Sequence, residues 1–275
     1  MSLNPLQQYF RQPKIYLKLP SLGKYNDSST INGNIENLPI YGMTGMDKIL
    51  IKTPDALLNG ESTVKIIQSC CPNILNAWEV TTIDIESLLV AIRIATSGSL
   101  LEITNKCKHC DAENVYEINV NNFLDHYNKT TFTTDVMIDE LTIKLKPLTY
   151  KKSTEFSLEN FSLQKQISRI LLLDDEKEKN TLSSEIFVKF AAMQNKIVLA
   201  NIDYIETPNG VVSEYGYIKE WLDNCDESYI SRIREVIAIN SNAWSLPSSK
   251  VSCTSCGTTN DIEMDLDHAN FFGIA

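Results

Sequence analysis

The chain has 275 residues, 43% hydrophobic and 22% charged, ordinary proportions for a globular protein with enough length to bury a sizeable core. Its net charge of −10 is uneven: residues 1–110 carry 10 Lys/Arg against 9 Asp/Glu, and residues 111–275 carry 15 against 26. The larger part of the chain therefore repels phosphate, which argues against a nucleic-acid partner, and no apolar run nears the roughly 20 residues that span a bilayer, which argues against a membrane one.

Residues 1–8 have neither the basic start nor the apolar core of a secretion signal, so the protein is expected in the cytosol or in whatever is assembled there. Ile15–Leu19 reads as a strand stopped by Pro20-Ser21-Leu22-Gly23. A polar Asn/Ser-rich stretch follows to Asn37, and then a second extended piece at Leu38–Tyr41. Residues 14–23 and 38–52 are expected to be strands flanking a mobile loop, a β arm over residues 1–53. Pro54 suits the first turn of a short helix running toward Cys70. Thr81 with Asp84 three residues on resembles a capping box. Behind it Ile85, Leu88, Leu89, Ile92 and Ala95 share one helical face, with Glu86 and Arg93 off it and Gly98 as the stop.

Further along, Leu141, Ile143 and Leu145 alternate with Thr142, Lys144 and Lys146, the pattern of a half-buried strand. A long helix is expected from Phe156 to Leu171, closed by the solvated run Asp174–Lys179, and a second from Leu182 to Val198. Thr207-Pro208-Asn209-Gly210 marks a hairpin turn. Two more helices fit Ser213–Asn224 and Asp226–Asn240. The expected class is α+β, helix-rich, with short strands around a zinc-ribbon-like unit, residues 54–275 forming one domain behind the arm.

That unit rests on cysteine spacing. Seven cysteines, an odd number with no secretion signal, do not read as a disulfide framework, but four of them form two Cys-x-x-Cys pairs. Around Cys107 and Cys110 (residues 99–120), and again around Cys253 and Cys256 (residues 250–267), β-like segments flank the pair. From each first cysteine Asn recurs at +7 (Asn114, Asn260), Glu at +10 (Glu117, Glu263) and an aliphatic residue at +13 (Val120, Leu266). Two residues between cysteines let a tight turn aim both thiolates at one ion about 2.3 Å away, and four thiolates close a tetrahedron. Separation in sequence is no obstacle: closing a 142-residue insertion costs roughly 2 kcal/mol more than a usual ribbon loop, against 10–16 kcal/mol on the order of what structural zinc supplies. One structural Zn2+ per chain on Cys107, Cys110, Cys253 and Cys256 is expected. A redox pair would want a βαβ context with the pair opening a helix, and two unmetallated thiol pairs are a further alternative. His109 is read as an exposed spacer rather than a ligand, and Cys70, Cys71 and Cys225 as core or helix-end residues. None of the three histidines stands in an HExxH or nucleophile-elbow context, and no Gly-rich phosphate loop occurs. No enzyme and no small-molecule substrate are indicated.

Several landmarks then converge. Leu19-Pro20-Ser21-Leu22-Gly23, Tyr41-Gly42-Met43-Thr44 with Asp47, Thr53–Gly60, Leu89–Ala95, the two knuckles and Asn270-Phe271-Phe272 together resemble baseplate hub proteins of T-even-type contractile-tailed bacteriophages. Lys48-Ile49 stands where that family has a second acidic residue. The resemblance implies a virion or virion-assembly protein that helps build the hub, with other tail proteins as its partners. The competing reading is a nucleic-acid-binding zinc ribbon, disfavoured by Asp261, Glu263, Asp265 and Asp267 beside the second knuckle. Phe271 and Phe272 cannot both face inward from an extended segment, so one can seal the seam of the zinc core while the other is left to dock a partner; the alternative is that both pack locally as a hydrophobic plug.

Overall fold

A computed structural model describes residues 4–52 and 59–262. Its contacts divide the chain into two units, residues 1–130 with 244–275, and residues 131–243. The class is α+β as expected.

In the first unit β1 (Pro13–Leu17) runs antiparallel to β2 (Leu38–Tyr41), with Ile15 opposite Ile40 and Leu17 opposite Leu38. Leu17, Leu38 and Ile40 are buried while Tyr16 faces out, the period-two signature that located both strands. The second strand ends earlier than expected. Residues Gly45–Ile51 are a helix, α1, because Thr44 and Asp47 form a reciprocal capping box: the Asp47 amide donates to the Thr44 hydroxyl and the Thr44 amide to the Asp47 carboxylate. Asp47 is itself buried and also accepts from Ser69, with Arg11 3.6 Å away. The stretch between β1 and β2 is tied down. The Leu19 amide donates to the Ile35 carbonyl, and Thr30 accepts from the Leu75 amide.

Helix α2 (Glu61–Cys70) ends at Cys70, with Cys71 as its cap. Helix α3 (Thr82–Ser97) packs against β1, β2 and α2, and is buried on almost every side. Its five expected core residues are buried, but Arg93, which lies off that apolar face, is buried too. Its guanidinium donates to the Gly98 and Leu100 carbonyls, holding the end of the helix to the start of the next strand. Gly98 stops the helix with a φ of 88°. The expected capping box at Thr81 is not made in its usual form. The Thr81 hydroxyl donates to Asp84, and the Thr81 amide is instead taken by the side chain of Asn26. The hairpin of β3 (Leu100–Lys106) and β4 (Glu113–Asn119) follows, then α4 (Asn121–Lys129) with Phe123 and Tyr127 buried. The Tyr127 phenol donates to Glu86, which is therefore engaged rather than merely solvated, and its ring stacks on Trp244 at 6.1 Å. The short hairpin of β9 (Ser249–Ser252) and β10 (Thr259–Ile262) also belongs to this unit.

The second unit is built on a four-stranded antiparallel sheet in the order β5 (Asp135–Ile138), β6 (Leu141–Leu145), β7 (Ile202–Thr207), β8 (Gly210–Val212). Pro208-Asn209 is the expected hairpin turn between the last two. Helices α5 (Tyr150–Ile170) and α6 (Glu176–Asn201) are inserted between β6 and β7 as a hairpin. The charged run expected to lie outside the helices is instead the first turn of α6. Asp175 caps it by accepting from the amides of Lys177 and Glu178, and the acidic Glu176 and Glu178 suit the positive end of the helix. Ile143, Ile205, Val198, Leu222 and Ile233 meet in the core, roofed by α7 (Tyr215–Asn224) and α8 (Glu227–Trp244). Ile143 is fully buried on the central strand pair. Ile143→Val is expected to cost about 1 kcal/mol, read as a shift of the urea midpoint; no shift would mean that this site collapses around a missing methyl.

Candidate metal centre

The two knuckles are built alike. In the first, β3 delivers Cys107, whose amide donates to the Ala112 carbonyl at 2.9 Å while its carbonyl accepts from Asp111 at 2.9 Å. In the second, β9 delivers Cys253, whose amide donates to the Thr258 carbonyl at 2.9 Å while its carbonyl accepts from Gly257 at 2.9 Å. The chain reverses at the residue four past the first cysteine, Asp111 with φ 56° and Gly257 with φ 73°. Asp and Gly are both types that tolerate the left-handed region.

The four sulfurs, 142 residues apart in sequence between the pairs, lie within 4.8 Å of one another. They interleave: Cys107 faces Cys256 at 3.7 Å, and Cys110 faces Cys253 at 3.7 Å. Both separations are far beyond the ~2.05 Å of a disulfide. They match instead the ~3.8 Å edge of a tetrahedron whose corners stand ~2.3 Å from a central ion. Cys107 and Cys253 are buried; Cys110 and Cys256 are exposed at the rim.

The electrostatics point the same way. Amides of Cys256 and Ser255 aimed at the Cys253 sulfur bring its pKa down to about 6 against burial, and amides of His109 and Cys110 lower Cys107. At Cys110 the Ala112 amide also lowers, but the sulfurs of Cys256, Cys253 and Cys107 outweigh it and push the thiol up to about 12. Four negative sulfurs cannot share this space without a cation among them. A metal ion would supply that charge, with the four sulfurs as its thiolate ligands.

The remaining cysteines differ. Burial pushes Cys70 up to about 12 and Cys71 to about 11, so both are neutral core thiols at physiological pH. Cys225 caps the end of α7. His109 is exposed and stands outside the sulfur cluster, its backbone amide pointing at Cys107. Of the recurring positions, both asparagines are buried against the knuckles, Val120 is buried in the first unit, and Glu117 is exposed. Glu263, Leu266, Phe271 and Phe272 lie outside the described residues.

Sequence reasoning identified the four cysteines but attached no role to Asn114 and Asn260. Their recurrence at +7 was the available signal. The asparagines link the knuckles: Asn114 accepts from the Thr254 amide and hydroxyl, and Asn260 from the Lys108 amide.

No helix among the described residues is long and apolar enough to cross a membrane. Searches of the curated proteins and of the solved structures returned no match. The family model described as T4 bacteriophage base plate protein matches residues 13–273, nearly the whole chain and both knuckles. The chain belongs to the T4 bacteriophage base plate protein family.

Proposed function

We propose that the protein is a structural or assembly component of the central hub of the phage tail baseplate, and that its four-thiol cage holds one zinc ion as a permanent staple. Membership of the baseplate family supports a structural protein of the tail that associates with other tail proteins. The observation that carries the zinc reading is the meeting of four cysteine sulfurs, from two knuckles remote in sequence, within 4.8 Å. Tetrahedral all-sulfur sites favour zinc or iron; a staple needs no electron transfer, and zinc has no redox chemistry of its own.

Four thiolates around one zinc leave no open position for a water or substrate, so the site has no catalytic vacancy. The reading is of a scaffold without enzymatic activity, working in the virion or during its assembly. Nucleic acid is not its ligand on this reading, in keeping with the acidic residues beside the second knuckle.

Elemental analysis of the purified chain is expected to give one zinc per molecule. A chain without zinc, or with iron in its place, overturns the zinc assignment. Tagged protein from infected cells is expected to retain hub and other tail proteins and to leave nucleic-acid mobility unchanged in a gel shift. Retarded nucleic acid without tail proteins would favour the zinc-ribbon alternative and overturn the hub reading.

A further inference from the structure

Asn114 and Asn260 occupy matching positions, seven residues past the first cysteine of each knuckle, and both are buried. Each makes the same three contacts with a carbonyl, a sulfur and a backbone amide, and Asn114 alone also accepts from a hydroxyl, that of Thr254, at 2.6 Å. The Asn114 amide nitrogen donates to the carbonyl of its own knuckle's Ala112 at 2.9 Å and to the Cys253 sulfur of the opposite knuckle at 3.5 Å. Its oxygen accepts from the Thr254 amide at 3.0 Å. In mirror fashion the Asn260 amide nitrogen donates to the Thr258 carbonyl at 3.2 Å and to the Cys107 sulfur at 3.6 Å, while its oxygen accepts from the Lys108 amide at 3.3 Å.

The orientation of each side chain follows from its neighbours. A backbone N–H can only donate, so the oxygen must face Thr254 or Lys108, and the NH2 group is then left for the carbonyl and the sulfur. Asparagine is the side chain that offers both functions at this reach: a carboxylate has no donor, and an aliphatic residue has neither.

We propose that Asn114 and Asn260 are a reciprocal pair of positioning residues for the metal centre, resting on the zinc reading above. Each locks the opposite knuckle in register through its oxygen and stabilises that knuckle's buried thiolate through its NH2 group. The pair solves a problem special to this topology. The half-sites are joined by 142 residues rather than a short loop, so the chain itself does little to align them, and alignment has to come from contacts at the site. Donation to sulfur also offsets part of the negative charge that four thiolates leave on a divalent ion. Groups behind metal ligands commonly change metal affinity by about 10–100-fold when removed.

The decisive variants are Asn114→Asp and Asn260→Asp, nearly isosteric changes that keep the oxygen facing the backbone amide and replace the donor to sulfur by a negative charge. Each is expected to weaken zinc about 10–100-fold in competition with a chromophoric chelator, and to shift the thiolate-to-metal charge-transfer bands of the Co2+-loaded full chain. The two are expected to behave alike, and the double variant worse than either. A general packing role would lower thermal stability without moving those bands. A measurement on the unmutated chain avoids any folding defect: loaded with 113Cd, it is expected to show scalar coupling between the metal and the side-chain amide protons of both asparagines, carried through sulfur.

A chain that takes up zinc and cadmium but shows no such coupling, or whose Asp variants keep wild-type affinity and spectra, overturns the clamp and leaves the zinc reading standing. A chain that takes up neither metal overturns both.

Discussion

Cys253→Ser is expected to empty the metal centre and unfold much of the first unit. The serine keeps the shape of the knuckle but loses the sulfur that faces Cys110 and accepts from Asn114. Binding free energy at a structural zinc site is folding free energy, on the order of 10–16 kcal/mol in isolated zinc fingers. The loss here is smaller, on the order of 5 kcal/mol, because Leu19, Ile66, Leu88 and Ile92 still form a core that does not depend on the metal. Zinc content, expected to fall from one per chain to a small fraction, and thermal melting followed by circular dichroism both read the effect. Chelation after alkylation of the exposed Cys110 and Cys256 is expected to reproduce it. Acid is expected to do the same, since thiolates must gain protons to release the ion and binding weakens as pH falls. Cys225→Ser, at a cysteine outside the sulfur cluster, is the control and is expected to keep its zinc. A Cys253→Ser chain that melts with the wild type would show that the centre contributes nothing to the fold.

Local patterns in the sequence were legible where one physical force dominates. The cysteine pairs could be read because a four-sulfur cluster suited to a metal needs that spacing, and the meeting of the two pairs, within 4.8 Å, was foreshadowed by their matched flanks. Strand alternation located β1, β2 and β6, and the apolar face of α3 was read correctly at all five core positions. Failures came where a second local signal, or a partner outside the element, competes with the dominant pattern. Arg93 lies off the apolar face read from the sequence, yet the Gly98 and Leu100 carbonyls just beyond the helix give it a buried role. The α1 helix was missed in favour of strand although Thr44-Gly45-Met46-Asp47 carries a capping-box signal, because Leu38–Tyr41 just before it reads so clearly as extended. Charge misled at α6, where acidic residues taken for a solvated break are favourable at a helix start. The role of the two asparagines was hidden for a related reason: each acts on the opposite knuckle, more than 130 residues away in sequence.

Asp84→Ala is expected to be the most damaging single change away from the cysteines. Asp84 stands in the first turn of α3, fully buried, and collects donors from the Leu19–Gly23 turn and from the helix cap. The Ser21 amide and hydroxyl, the Asn26 side-chain NH2 and the Thr81 hydroxyl all point at its two oxygens. Burial pushes the carboxyl up, and these four donors, with the helix N-terminus, pull against that rise by favouring the ionised form. Alanine removes every acceptor at once. The hydroxyls can turn elsewhere, but the Ser21 amide cannot, and the Asn26 side chain is held by its bond to the Thr81 amide. One to two orphaned buried donors at 1–3 kcal/mol each give an expected cost of about 3 kcal/mol, or a fall of roughly 6–12 °C in Tm for a unit of this size. Asp84→Asn is expected to be milder, since its oxygen still accepts while its NH2 group meets donors. Tight zinc binding should survive in both variants, because the Ser21–Asp84 network shares no contact with the knuckles. The turn around Ser21 should loosen, visible as faster amide exchange at Ser21 and Gly23, whose amide now bonds to the Ser21 hydroxyl. If Asp84→Ala melts within a degree of wild type, the turn and the helix are held together by the burial of Leu19 and its neighbours, and the carboxylate is incidental.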